Sequence, residues 1–188
     1  MKLKLLSWFV VLLGAVSTAS AQKQPTLLSA TFHIKKTEHI EKRAFQPEAI
    51  TASKGVLEAP LTNAVLVSNF GYYDIPGTKL KGNNPGITLA VPVWGEAKSV
   101  FDGVVKSVYK MDGNYVVIVK HNDILSVYAH LTKVVVKEGE QVYTGDTIGG
   151  IETSLTHNGT MEFMMLENSK NVDPLAWLKT NAVPLQNQ

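Results

Sequence analysis

The chain has 188 residues, of which 18 are Lys or Arg and 16 are Asp or Glu, and it contains no cysteine. The first 21 residues hold two of the lysines and no acid, so the remainder carries 16 residues of each sign. This balance gives no basis for nucleic acid as a partner, because phosphate binding needs concentrated Lys and Arg. Without disulfides the fold depends on an apolar core, and the length predicts one compact domain of about 130 residues with an N-terminal extension.

Residues 1–21 have the pattern of a secretory signal peptide. Two lysines precede an apolar run over residues 5–16, and a stretch of small residues ends at Ala21. We therefore expect cleavage before Gln22 and a periplasmic or secreted mature protein without a transmembrane segment. An uncleaved membrane anchor is the alternative. No cysteine follows the apolar run, so we expect no lipoprotein anchor.

Residues 22–55 show no clean hydrophobic period. We interpret them as an N-terminal extension, a partly ordered linker with one strand. Residues 35–43 mix lysine, arginine and glutamate, which is typical of a solvated turn or short helix.

From residue 56 onward, short segments rich in Val, Ile, Tyr and Phe alternate with Gly, Asp and Asn. The segments are AVLVSNF (64–70), ITLAVPV (87–93), GVVKSVY (103–109), YVVIVKH (115–121), LSVYAHL (125–131), KVVVKEG (133–139) and TMEFMML (160–166). Such runs bounded by turn residues predict β-strands.

Two junctions between these segments have the composition of hairpin turns. Residues 112–114 read Asp-Gly-Asn and residues 122–123 read Asn-Asp, and these residue types tolerate positive φ. They predict a three-stranded meander over residues 103–131. His121 stands beside the second turn, and we interpret it as a turn residue on the surface.

The only convincing helix is predicted near the C-terminus. Asp173 can cap its N-terminus, and Pro174 suits the first helical position. Together these features predict an all-β fold with a short C-terminal helix.

A succession of motifs carries a resemblance to a known family. In order, the chain contains VSNFGYY, NNPGITLAVP, FDGVVKSV, YVVIVKHND, YAHLTKVVVKEGEQVYTGDTIG, NGTMEFMM and VDPLAWL. This succession resembles the lysostaphin-type (LytM-like) zinc endopeptidases, which cut peptide bonds in bacterial cell-wall peptidoglycan. The resemblance implies a LytM-like domain at residues 56–180, folded as a small β-sandwich or barrel-sandwich hybrid with a central groove.

The resemblance also implies which residues occupy the functional positions. That family binds its metal through the His and Asp of an HxGID-like segment and the second His of an HxH segment, where this chain has Asn84, Thr88 and Glu162. Thr160 replaces the first His of HxH, and only His130, in YAHL, is kept. A catalytic zinc needs about three His, carboxylate or thiolate ligands. We therefore expect a degenerate, non-catalytic member with no metal and no cofactor.

A groove over the central sheet is implied as well, walled by loops at residues 71–85 and 152–160. The residues expected to line it are Tyr72, Tyr73, Asn84, Thr88, Tyr128, His130, Thr160 and Glu162. His130 either fills the groove wall or helps to recognise a partner. An unorthodox zinc site of His130, His157 and Glu162 is an alternative.

Three functions compete at this point. The favoured one is a non-catalytic cell-envelope domain that binds and regulates a peptidoglycan hydrolase, such as an amidase, or binds peptidoglycan itself. The second is an active peptidoglycan metalloendopeptidase with unorthodox ligands, and the third is an envelope assembly protein that reuses the scaffold. A biotinyl or lipoyl carrier is disfavoured because Lys110, in YKMDG, lacks the flanking residues of a modified lysine.

Overall fold

The computed structural model describes residues 44–91, 93–152 and 159–185. The predicted signal peptide, the charged stretch at 35–43, His157 and most of the predicted groove wall at 152–160 lie outside these residues.

Short strands dominate the described part of the chain. They are β1 (Val65–Ser68), β2 (Gly71–Asp74), β3 (Lys81–Asn84), β4 (Ile87–Val91), β5 (Trp94–Lys98), β6 (Gly103–Met111), β7 (Asn114–His121), β8 (Ile124–Leu131), β9 (Lys133–Val134), β10 (Gln141–Val142), β11 (Thr147–Glu152), β12 (Gly159–Glu167) and β13 (Lys170–Val172). Two short 3-10 helices, Pro47–Ser53 and Pro174–Ala176, flank them. The predicted all-β fold is confirmed.

The largest sheet has the order β1-β4-β12-β8-β7-β6-β10, and β13 pairs with part of β12. All of its pairings are antiparallel. The predicted meander is confirmed as β6-β7-β8. Its turns use positive φ at Asp112 (50°), Gly113 (84°) and Asn122 (57°), as the sequence predicted for these residue types.

A second sheet of three strands, β5-β11-β9, packs against the first. Its residues Ala97, Ile148 and Ile151 belong to the same buried cluster as Leu89 and Phe163 of the large sheet. This shared apolar core between two sheets is the arrangement of a β-sandwich. It stabilises the fold without disulfides.

Residues 71–85 were predicted to form a loop, and this prediction is wrong for most of the segment. Strands β2 and β3 pair as a separate antiparallel hairpin, in which Tyr73 lies opposite Gly82. A Cβ atom at position 82 would overlap the Tyr73 ring, so the ring covers the glycine backbone.

Backbone hydrogen bonds join the N-terminal and C-terminal segments of the described domain. The backbone N–H groups of Gly55 and Leu57 both donate to the carbonyl of Trp177, at 2.9 and 3.1 Å. Ile50, in the first 3-10 helix, is fully buried in the core. The described part of residues 22–55 thus contributes a 3-10 helix to the domain. The strand predicted within 22–55 stays a prediction, because residues 22–43 lie outside the described residues.

The predicted C-terminal helix is confirmed as a single 3-10 turn. The Asp173 carboxylate accepts a hydrogen bond from the N–H of Leu175 at 2.9 Å, and Pro174 occupies the first turn. Within the described residues, no helix is long and apolar enough to cross a membrane.

Candidate functional site

Strand β12 forms the floor of the candidate site. Its residues alternate between two environments, with Met161 and Phe163 fully buried in the core and Thr160 and Glu162 half-buried on the other face. This alternation follows from the two-residue period of a strand. The side chains of Thr160 and Glu162 therefore both face outward from the floor, on the face where the resemblance places the metal site.

The register of the large sheet brings the aligned positions together. Thr88 on β4 lies directly opposite Glu162 on β12, and Ser68 on β1 lies directly opposite Thr88. Residues directly opposite each other in an antiparallel pair have Cβ atoms about 5 Å apart. The neighbouring strands β1, β4 and β12 thus place the Ser68 hydroxyl, the Thr88 hydroxyl and the Glu162 carboxylate in one row.

These groups lie in a cleft of about 320 Å³, which we name the Glu162 cleft. Its lining residues are Ser68, Tyr73, Asn83, Asn84, Pro85, Thr88 and Glu162. Among these lining residues, which all belong to the described part of the chain, Glu162 carries the one acidic group and none is lysine or arginine. The Glu162 carboxylate makes no hydrogen bond or ion pair that joins it to another residue in the described ranges.

Asn84 is buried at the base of this cleft and its side-chain amide is fully engaged. The amide nitrogen donates to the hydroxyls of Ser68 and Thr88, each at 3.3 Å, and its oxygen accepts the N–H of Gly86 at 3.2 Å. A donating amide nitrogen has no lone pair for a metal, and a neutral Thr hydroxyl is a poor zinc ligand. The residues at the aligned positions therefore do not fit a catalytic zinc.

A second cleft of about 300 Å³ lies at the neighbouring end of β12, and we name it the His130 cleft. It is lined by Asn114, His130, Thr132, Ile151, Glu152, Gly159 and Thr160. The Glu152 carboxylate is paired with Lys133 at 3.4 Å. Neither cleft gathers three His, Cys, Asp or Glu side chains, and no such group occurs elsewhere in the described ranges.

The backbone of His130 explains how its side chain reaches this cleft. Its φ is +67°, a left-handed conformation that non-glycine residues rarely adopt. Tyr128 and Leu131 both point into the core, so the strict alternation of β8 is broken between them. This left-handed backbone turns the His130 ring out of the core and into the cleft.

The residues predicted to line one groove are thus divided between the two clefts. Tyr73, Asn84, Thr88 and Glu162 lie in the Glu162 cleft, whereas His130 and Thr160 lie in the His130 cleft. Tyr72 is 80% exposed and lines neither cleft, because it alternates with Tyr73 along β2.

The prediction for Tyr128 needs correction. Its side chain is fully buried, its ring lies 5.2 Å from that of Phe163, and its hydroxyl accepts the N–H of Val100 at 3.0 Å. The prediction assumed that residues 128 and 130 share a face, and the left-handed backbone at His130 breaks that relation. Burial raises the pKa of Tyr128 to about 12.

His121 was predicted on the surface, and this prediction is also wrong. Its ring is fully buried, with Nδ1 2.8 Å from the carbonyl oxygen of Asp102 and Nε2 2.8 Å from the hydroxyl of Ser126. Nδ1 therefore donates to Asp102 O, and Nε2 accepts from Ser126. Burial lowers the pKa of His121 to about 4, against the smaller opposing effect of Asp102, so the ring is neutral at pH 7.

Several cleft residues were missed by sequence reasoning. Ser68 lines the Glu162 cleft and Asn114 and Thr132 line the other, although none of them lies in either predicted wall. Ser68 reaches Thr88 only because the pairing of β1 with β4 is irregular between Leu66 and Ser68. A local irregularity of this kind leaves no signal in composition or hydrophobic period.

Comparisons with known proteins place this geometry in a family. The chain is 27% identical over 123 residues to the murein hydrolase activator NlpD of Salmonella typhimurium, a match that covers 62% of this chain and 30% of NlpD. It is 37% identical over 76 residues to the peptidoglycan DD-endopeptidase ShyA of Vibrio cholerae, covering 39% of this chain and 18% of ShyA. The chain therefore spans less than a third of the length of these curated relatives.

A solved structure shares the fold. Helicobacter pylori Csd3 superposes with a TM-score of 0.58 at 25% sequence identity, over 71% of this chain and 38% of Csd3. Residues 82–174 match the model of Peptidase family M23, and this span includes the Glu162 cleft from Asn83 onward. The resemblance inferred from the sequence is confirmed, and the chain carries a LytM-type domain of Peptidase family M23.

Proposed function

We propose that this protein is a non-catalytic cell-envelope protein whose M23 domain binds a peptidoglycan hydrolase and regulates it. The observation that carries the proposal is the Glu162 cleft. At the three positions aligned with the family's metal ligands it holds an amide, a hydroxyl and one carboxylate. The scaffold of a zinc peptidase is retained while the groups that would hold the zinc are replaced.

Zinc chemistry supports the absence of peptidase activity. The family reaction needs a metal that lowers the pKa of its bound water, and such a metal needs about three protein ligands. The Asn84 nitrogen is committed as a donor to two hydroxyls, and its oxygen accepts a backbone N–H. Glu162 alone is too little to retain a catalytic metal.

The similarity to NlpD supports a regulatory role. That relative is named a murein hydrolase activator, and its match covers 62% of this chain. A domain that no longer cuts peptidoglycan can still offer its former active-site cleft to a partner. We therefore place the partner, a hydrolase of the amidase type, at this cleft, and peptidoglycan itself is the second ligand to test.

A second candidate function is an active peptidoglycan metalloendopeptidase. The 37% identity to ShyA over 76 residues favours it, because that relative is named a peptidoglycan DD-endopeptidase. Metal analysis separates the two candidates. Protein purified without chelator should contain zinc well below one equivalent, whereas stoichiometric zinc with release of peptides from peptidoglycan would establish the enzyme.

Partner capture tests the regulatory proposal directly. Purified protein would be cross-linked in an envelope extract, and the captured hydrolase would be assayed with and without it. We expect Glu162→Gln and Tyr73→Ala to weaken capture and the change in hydrolase rate, while Lys106→Ala, exposed and outside both clefts, leaves them unchanged. Capture of only non-hydrolase assembly proteins would instead support reuse of the scaffold.

Export is part of the same proposal. The pattern of residues 1–21 supports cleavage before Gln22 and a periplasmic or secreted location. N-terminal sequencing of the protein from fractionated cells checks this. Soluble cytoplasmic protein that retains Met1 would contradict it.

A further inference from the structure

We infer that the Glu162 cleft binds the side-chain ammonium of a lysine presented by the partner protein. The inference deepens the proposed function, because it names the chemical group that the same cleft takes, and it rests on that proposal for the identity of the carrier. It is argued from charge, from hydrogen-bonding capacity and from the shape of the cleft.

Charge is the first argument. Glu162 is half-buried on the sheet face, and the cleft-lining residues within the described ranges include no lysine or arginine. Lys81 of the adjacent hairpin is already paired with Asp74 at 2.9 Å. The Glu162 carboxylate is therefore left to pair with a cation from another molecule.

Hydrogen-bonding capacity is the second argument. Both N–H groups of the Asn84 amide are used inside the cleft wall, so this residue offers no donor to a ligand. The Glu162 carboxylate is an acceptor only, and the Thr88 hydroxyl opposite it retains a lone pair. An ammonium group has three donors and no acceptor, which complements the Glu162 carboxylate and the Thr88 lone pair.

The shape of the cleft is the third argument. Tyr73 is 49% exposed and its ring is held over the Gly82 backbone, so an aromatic face borders the same cleft as the carboxylate. The alkyl stem of a lysine packs on such a face while its ammonium reaches a charged partner. Pro85 adds a further apolar surface beside Tyr73.

The inference is tested with a small lysine probe. Purified isotope-labelled protein would be titrated with Nα-acetyl-lysine methylamide, followed by amide chemical shifts, and compared with the uncharged Nα-acetyl-norleucine methylamide. We expect saturable shifts confined to β3, β4 and β12 with the lysine probe and none with norleucine. Affinity should fall with added salt, since a charge pair is screened.

Matched carboxylate variants complete the test. Glu162→Gln keeps the shape and removes the charge, and we expect it to weaken lysine binding by about fivefold or more. Glu167→Gln, on the same strand but outside both clefts, should leave binding unchanged. Equal binding of norleucine, or equal effects of the two variants, would overturn the inference.

The outcomes also separate this inference from the proposed function. If a hydrolase is captured and Glu162→Gln alters neither its affinity nor the lysine titration, the inference fails and the proposed function stands. If the lysine probe binds through Glu162 but no hydrolase is captured, the proposed function fails instead. Binding of amine-bearing peptidoglycan fragments without binding of the lysine probe would also overturn the inference.

Discussion

At the scale of single residues, burial couples the ionisation of His121 to folding. It lies at the end of a buried chain of hydrogen bonds, in which Ser126 donates to the ring and the ring donates to Asp102 O. The hydroxyls of Ser126 and Tyr128 lie 3.3 Å apart and continue this chain towards Val100. Protonating the ring would place a positive charge in the buried core, away from water, so the fold favours the neutral form.

We therefore predict a specific loss of stability in mild acid. The pKa of His121 falls from its ordinary 6.5 to about 4 in the folded protein. The unfolded chain thus binds more protons between these values, and stability, complete above pH 6.5, declines as pH falls to about 4. The decline attributable to this residue is about 3 kcal/mol, from about 1.4 kcal/mol per pKa unit.

Urea unfolding at pH 7, 5.5 and 4 measures this effect against His121→Asn. The variant should be less stable at pH 7, because it loses the bond to Ser126, but it should lose less stability on acidification. Carboxylates contribute equally to both proteins, so the difference between them isolates the histidine. Parallel pH profiles would show that His121 is not the titrating group.

The burial of His121 could have been predicted from the alternation of inward and outward residues along β7. Val117, Val119 and His121 are successive inward positions of β7, and all three are fully buried. We predicted a surface position for His121 because it stands beside the Asn122-Asp123 turn. The last inward residue of a strand still points into the core next to the turn. The alternation of the strand therefore predicts the burial of that residue better than the composition of the turn does.

At the scale of elements, strands with an apolar run, such as β1, β4 and the β6-β7-β8 meander, could be predicted from the sequence, whereas β2, β3 and β5 could not. The β6-β7-β8 meander has 8 or 9 residues in each strand and turns with positive φ, both of which have sequence signals. Strand β5 includes Gly95 and Glu96, which have low strand preference, and it forms because β11 pairs with it. Tertiary pairing of this kind is not encoded in local composition.

The β2–β3 hairpin gives a prediction at this scale. A two-stranded hairpin is marginally stable alone, and here Tyr73 covers the backbone of Gly82. We expect Tyr73→Ala to speed amide hydrogen exchange in Gly71–Asp74 and to change global stability by less than about 1 kcal/mol. Gly82→Ala should displace the ring and give a similar exchange pattern.

Combining the two changes tests whether they act through one contact. Their effects on exchange should not add, since either change removes the same packing. Tyr72→Ala, at a position 80% exposed, is the control and should leave exchange unchanged. Full additivity would mean that Tyr73 and Gly82 support the hairpin independently.

At the scale of the whole molecule, the sheet register decides which separated residues meet. The motif alignment predicted that Asn84, Thr88 and Glu162 correspond to the metal positions, and the register puts these residues in one cleft. The division into two clefts could not be predicted, because it depends on the left-handed backbone of His130 and on an irregular pairing between β7 and β8. Both are consequences of packing rather than of residue type.

The same register predicts that a zinc site can be rebuilt on this scaffold. Asn84 lies within hydrogen-bonding distance of Thr88, and Thr88 lies opposite Glu162, so Asn84→His, Thr88→Asp and Glu162→His should converge on one metal. With Thr160→His added, the variant should bind one equivalent of zinc by metal analysis. Because zinc would bind only the folded state, zinc at a hundred times its Kd should stabilise the variant by about 2.7 kcal/mol in thermal unfolding. The matched control lacks only Thr88→Asp and should gain clearly less. A folded variant that gained no more than this control would show that the three positions do not share a metal-binding frame.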